Sequence, residues 1–141
     1  MKQFPKSLKF KKNHKLSSSV LRLKEQSEFF PRYGMFGVKI LRNSRLTFKQ
    51  MEACRRSLRR KVRAYGRVWV RVFTNFSITG KSIGMRMGSG KGNHSHWVSF
   101  TKAGRIVCEF YGNLREPQYL KYLEGVAKKL PVKAKGVRLK Y

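Results

Sequence analysis

Thr47-Phe-Lys-Gln-Met-Glu-Ala-Cys-Arg-Arg-Ser-Leu-Arg-Arg-Lys-Val-Arg-Ala-Tyr65, then Gly66, then Arg67-Val-Trp-Val-Arg-Val-Phe73, changes its hydrophobic period from about 3.6 to 2 across a single glycine. Thr47 suits a helix N-cap, and Gln50 three residues later completes a capping box. Met51, Cys54, Leu58, Val62 and Tyr65 recur at steps of three and four and form one apolar stripe, and Gly66 supplies the C-terminal stop. The spacing therefore predicts a helix over 47–65. In the strand that follows, Val68, Val70 and Val72 share one face, while Arg67, Trp69, Arg71 and Phe73 share the other. A half-buried helix running straight into a half-buried strand points to an α+β domain with an antiparallel sheet.

Outward from this stretch, Tyr33 to Leu41 alternates around Gly34 and Gly37 and reads as a strand, with Gly37 a bulge or a close approach. Trp97–Thr101 and Arg105–Tyr111 read as a hairpin turning at Ala103-Gly104. Glu116 to Leu130 reads as a second amphipathic helix, buried along Leu120, Leu123, Ala127 and Leu130 and stopped before Pro131. Val132–Tyr141 reads as a basic final strand or tail. Residues 16–31 are Ser-rich, then mixed, and resist assignment. The chain divides into a basic arm and irregular linker (1–31) and one globular α+β domain (32–141) with two helices on its sheet.

Thirty-four Lys and Arg stand against six acids, a net charge of +28 on 141 residues. Self-repulsion on that scale favours a polyanionic partner, while 40% hydrophobic residues still provide a core. No apolar run approaches the roughly 20 residues needed to span a bilayer, and the cations are not gathered on one amphipathic helix, so a membrane partner is not expected. Nor is a homo-oligomer. Two groups of cations are candidates for RNA contact. In the arm, Lys6, Lys9, Lys11, Lys12, His14 and Lys15 are interleaved with Phe4, Leu8 and Phe10. Such an arm becomes ordered on a polyanion; the alternative is a frayed basic terminus. On the helix, Arg55, Arg56, Arg59, Arg60 and Arg63 crowd the surface outside the apolar stripe, with only Glu52 near enough to pair. A solvated face ordinarily mixes signs, and this one does not.

A third candidate is the segment Arg86-Met87-Gly88-Ser89-Gly90-Lys91-Gly92-Asn93-His94. Alternating glycines free the backbone for positive φ and close approach, and cations stand at both sides, an arrangement suited to bringing backbone amides to phosphates. The plainer reading is a long hairpin loop.

Other chemistry is poorly served. Gly90-Lys91 lacks both the earlier glycine and the following Ser/Thr of a phosphate-binding P-loop, since Met85 and Gly92 occupy those places. His94 and His96 have no carboxylate nearby in sequence to orient them. Cys54 and Cys108 form no metal-binding pattern, and Cys54 lies on the buried stripe. No cofactor, metal or catalytic residue is expected. The start, Met1-Lys-Gln-Phe-Pro, has neither a signal-peptide core nor a transit-peptide composition, so a protein working in an organelle would have been made there.

Taken together, these residues resemble the large-subunit ribosomal protein sixteen family, in its bacterial and organellar form. Arg86, Met87, Gly88, Gly90, Lys91, Gly92 and Trp97 match its glycine-loop pattern. Thr47–Arg60 with Gly66–Phe73 matches its basic helix and strand, Pro5–Lys15 its N-terminus, and Tyr33–Lys39 its first strand. The resemblance implies an α/β-hammerhead-like fold and a structural role on large-subunit rRNA near the peptidyl transferase centre. Its implied partners are that rRNA, A-site tRNA reached by the glycine loop, and neighbouring ribosomal proteins. Arg86 aligns with an arginine hydroxylated in some bacterial members. The family's Gly/Arg-rich stretch after the arm is replaced here by Leu16-Ser-Ser-Ser-Val-Leu-Arg-Leu23. That divergence, with the abundance of Lys, Phe and Tyr, points to a mitochondrial ribosome, with a plastid or a bacterial cytoplasm as the alternatives. From composition alone, the competing function is a free-standing basic protein that compacts nucleic acid.

Overall fold

The structure is a computed structural model and describes residues 4–14, 16, 30–112 and 116–139. Lys15, most of the Ser-rich segment and the last two residues lie outside the described residues. Nine elements follow in the order β1 (Phe36–Ile40), β2 (Ser44–Thr47), α1 (Phe48–Val62), β3 (Gly66–Val70), β4 (Phe76–Gly80), β5 (Asn93–Thr101), β6 (Ile106–Gly112), α2 (Glu116–Ala127) and β7 (Ala134–Arg138). The class is α+β, as expected, but the strands form two antiparallel sheets. One has the order β3-β6-β1-β7 and the other β2-β5-β4. β5 and β6 therefore do not form a hairpin with each other. Gly104, at φ 98°, turns the chain, and its N–H donates to the carbonyl of Ile40, so that β5 and β6 are delivered to different sheets.

The helix at the centre of the sequence argument forms for the reasons given. The Thr47 hydroxyl accepts from the Gln50 N–H, and the Gln50 side chain accepts from the Thr47 N–H. Met51, Cys54, Leu58 and Val62 are fully buried. The stripe ends there: Tyr65 is 55% exposed, and the helix stops at Val62. Gly66 is the first residue of β3, and what requires glycine is proximity. A Cβ there would lie 1.7 Å from the Tyr111 carbonyl oxygen. The facing pair Gly66–Gly112 opens the β3–β6 ladder.

α1 packs on β3 and β6, and α2 packs on β7, β1 and α1. Phe36, Val38, Ile40, Cys108, Phe110, Tyr119, Leu123 and Val126 join the α1 stripe in one core. Phe36 stacks on both Phe110 and Tyr119. α2 ends at Ala127 and not at Leu130, and its buried side is Tyr119, Leu123 and Val126, with Leu130 buried beyond its end; Leu120 is 45% exposed and Ala127 only partly buried. At Gly37 a Cβ would stand 3.1 Å from Ile106 Cγ2, and the β1–β6 register shifts between Val38 and Lys39.

Glu109 is fully buried on β6. Its carboxylate accepts from the backbone N–H groups of Arg32, Tyr33 and Gly34 at 2.7–3.2 Å and pairs with the guanidinium of Arg71, which also lies over the Tyr33 ring. A buried carboxylate with this many donors fixes the entry of the chain into β1.

Candidate nucleic-acid interface

β4 and β5 carry the glycine loop. Their register runs from Phe76 with Val98 to Gly80 with Asn93, so the loop is the long connection of this hairpin. The base is held by β4, Phe76-Ser-Ile-Thr-Gly80, which pairs with β5; the Arg67–Phe73 segment contributes β3 to the other sheet. Every residue from Lys81 to Lys91 is exposed. Gly84, Gly88, Ser89 and Gly90 have positive φ, at 84°, 97°, 54° and 81°. Three consecutive left-handed residues, one of them a serine that bears a steric cost of roughly 1–2 kcal/mol, leave amides at the tip turned to solvent. The side chains are equally unguarded: Ile83 and Met87 are fully exposed, and Met85 is 59% exposed. Gly92 is different in kind. A Cβ there would meet the Gly80 carbonyl at 2.5 Å, so this glycine closes the base of the loop.

The arm lies against the loop, a juxtaposition no local pattern foretells. The Lys12 ammonium donates to the Lys91 carbonyl at 2.9 Å, and the Lys91 ammonium donates to the Asn13 carbonyl. Lys81 donates to the Gly88 carbonyl across the loop. Near the start of the arm, Phe4 meets Phe48 edge-on at 5.0 Å. Lys6, Lys9, Lys11, Lys12 and His14 are exposed. Lys12, Lys81 and Lys91 donate to neutral carbonyls, and the sequence holds no acid between Glu52 and Glu109 to receive them.

On α1, Arg56, Arg59, Arg60 and Arg63 are exposed, while Arg55 is partly buried. Glu52 forks between two arginines, accepting from Nε and Nη2 of Arg55 and from Nε of Arg56. The hydrogen bond from Arg55, with Arg56 beside it, holds the Glu52 carboxyl down at about 2. Arg55 thus serves the helix internally, and the expected like-charge crowding is relieved at this end. Two of the exposed arginines, Arg56 and Arg60, line one wall of a groove of about 680 Å³ whose other wall is the end of α2, while Arg59 and Arg63 lie outside it. Lys61, its ammonium 5.1 Å over the Tyr122 ring, and Lys129 join Lys49, Arg56 and Arg60 there. Lys61 and Lys129 escaped sequence reasoning because only the α1–α2 packing brings them together.

His94 accepts or donates at 2.7 Å to the Ser77 hydroxyl, and partial burial, with Lys11 and His96 nearby, pushes its imidazole down from the ordinary value. Among the described residues no three His, Cys, Asp or Glu are grouped to hold a metal. Cys54 and Cys108 are buried free thiols; burial raises Cys54 to about 11 and Cys108 further. A thiol so placed is protonated and inert. No helix among the described residues is long and apolar enough to cross a membrane.

Comparison with known proteins identifies the family of the chain. The family described as Ribosomal protein L16p/L10e matches residues 5–137. The large ribosomal subunit protein uL16 of Gluconobacter oxydans is 40% identical over 139 residues, covering 95% of this chain and 94% of that one. Those of Buchnera aphidicola and Blochmanniella pennsylvanica are 37% and 38% identical over 129 residues, each covering 92% of this chain. The match extends over the arm, the basic helix and the glycine loop alike, and the chain belongs to the ribosomal protein L16p/L10e family.

Proposed function

We propose that this structural protein of the large ribosomal subunit holds rRNA with its arm and with the exposed arginines of α1, and offers its glycine loop to tRNA in the A site, near the peptidyl transferase centre. The observation that carries the reading is the loop itself. Eleven consecutive exposed residues, Lys81 to Lys91, contain three cations, no acid and four positive-φ positions. Among the described residues no hydrogen bond or ion pair engages Arg86 or the amides at the tip, whereas phosphate contacts would use both. The division of labour follows from charge: the arm (1–31) and α1 supply affinity, and the loop supplies position. The role is structural, with rRNA, neighbouring ribosomal proteins and A-site tRNA as partners and no catalytic group of its own. Ten Phe and six Tyr beside the many lysines favour a mitochondrial ribosome, while the relatives named above are bacterial. Imaging of the tagged chain against organelle markers decides between the two compartments.

The test uses ribosomes carrying Arg86→Ala or Gly90→Val. At Gly90 nothing lies within 4 Å of an added Cβ, but φ is 81°, so valine alters the loop's conformation without a clash. Both variants should enter the subunit, bind aminoacyl-tRNA in the A site less tightly and elongate more slowly. A charge-assisted contact is worth about 1.5–3 kcal/mol, or roughly ten-fold or more in tRNA affinity for Arg86→Ala. Unchanged tRNA binding in both variants would reduce the segment to a surface hairpin.

A further inference from the structure

The β4–β5 ladder is broken at one place. Ile78 pairs with His96 and Thr79 with His94, so two steps on β5 face one step on β4 and Ser95 is the extra residue. Regular alternation would send His94 and Trp97 to opposite faces of the strand. The bulge restores them to the same side, and their rings meet at 4.6 Å, tilted by 44°. This pair forms one wall of a cleft of about 470 Å³, within the range of small-molecule sites, roughly 300–1,000 Å³. The facing wall is built from the Phe4–Phe48 pair, and Lys49 and His96 complete the lining. Three separate parts of the chain thus converge: the arm, the start of α1, and the bulged strand.

We infer that this cleft takes one unstacked base of a single-stranded stretch of ribosomal RNA, held between the His94–Trp97 platform and the Phe4–Phe48 wall. The inference rests on the RNA-binding reading above and extends it from phosphates to a base. Four rings left only partly buried offer faces for stacking, which any base can use. The lining contains no carboxylate, so the phosphate on either side of the base meets Lys49 and, near His94, the charge of Lys11, with no like charge opposing it. Partial burial, with Lys11 and His96 nearby, lowers the His94 pKa and so favours the uncharged ring, which suits a stacking surface. The exposed Ser95 hydroxyl and His96 imidazole, 3.1 Å apart, stand where a base edge can be hydrogen-bonded. The His-x-His pair, without a use in acid–base or metal chemistry, acquires one here.

The full chain carrying Trp69→Phe leaves Trp97 as the sole tryptophan, whose emission is read with red-edge excitation that passes over the tyrosines, because the sequence has two tryptophans. Two probes are compared, hexaadenylate and a hexamer of the same ribose-phosphate backbone without bases. Hexaadenylate should quench Trp97 and the abasic hexamer should not. Phe4→Ala and His94→Ala should each weaken hexaadenylate binding about five-fold or more and leave the abasic probe unaffected. In the unaltered chain, a hexamer containing 4-thiouridine should photocrosslink to the peptide spanning 93–97 or to Phe4. Salt-sensitive binding of both probes with a silent Trp97, or crosslinks confined to α1, would overturn the base cleft and leave phosphate binding standing. Binding by neither probe nor by large-subunit rRNA would overturn both.

Discussion

Single residues divide between those that make the fold and those the fold presents. Glu109 belongs to the first group. Its local sequence, Val-Cys-Glu-Phe-Tyr, shows only a charge in an apolar strand; its purpose comes from Arg71 and the amides of residues 32–34, more than 70 positions upstream in the latter case. Glu109→Ala removes the buried carboxylate that Arg71 and three N–H groups share, and should lower stability by about 3–5 kcal/mol in urea unfolding. A loss under about 1 kcal/mol would mean that water replaces the carboxylate. Glu52 is the second internal partner, with a clear dependence on pH. Its folded value of about 2 lies below the ordinary 4.5, so its stabilisation is fully present above about pH 4.5 and is lost as pH falls through about 2. Glu52→Gln should flatten that part of the stability–pH curve, and an unchanged curve would contradict the fork to Arg55 and Arg56. The glycines divide likewise. Gly92→Ala strikes the Gly80 backbone and should impair folding, whereas Gly90→Val leaves stability close to wild type and acts on the loop.

At the scale of elements, legibility follows the range of the forces involved. The α1 cap and buried stripe depend on residues within a few positions of one another, and the sequence shows them directly. β2 and β4 have four and five residues and acquire their pairing only from β5, so neither stands out in the sequence. The division into two sheets escaped notice because a glycine turn after a strand reads equally as a hairpin or as a crossing. For α2, several apolar positions allow two neighbouring stripes, and packing against Phe36 chose Tyr119 over Leu120. The arginine face of α1 can be tested apart from its core. Arg59→Glu with Arg60→Glu sets each acid four residues after an arginine and leaves the Glu52 fork intact. The isolated protein should therefore keep its stability within about 0.5 kcal/mol, while incorporation into large subunits falls sharply. Leu58→Ala should do the reverse at the level of cause, losing about 2–5 kcal/mol through a cavity beneath the same helix. Normal incorporation of the arginine double variant would make that face a solvated one.

For the whole molecule, charge is the governing quantity. Two of the six acids, Glu52 and Glu109, are engaged by arginines, which leaves few acids to oppose the other cations. Binding of the free protein to large-subunit rRNA should fall steeply with salt; neutralising about six phosphates gives a log–log slope near −5, and a slope shallower than about −2 would contradict an extended footprint of arm and helix. The same charge would serve a loose compacting protein, and what separates the two is the shape-specific part of the contact, which salt does not remove. Sedimentation of the tagged chain with ribosomal subunits through a high-salt wash measures this most directly. The account predicts that the protein stays with the large subunit after the wash. Release to the top of the gradient, with the subunits sedimenting intact without it, would contradict the account.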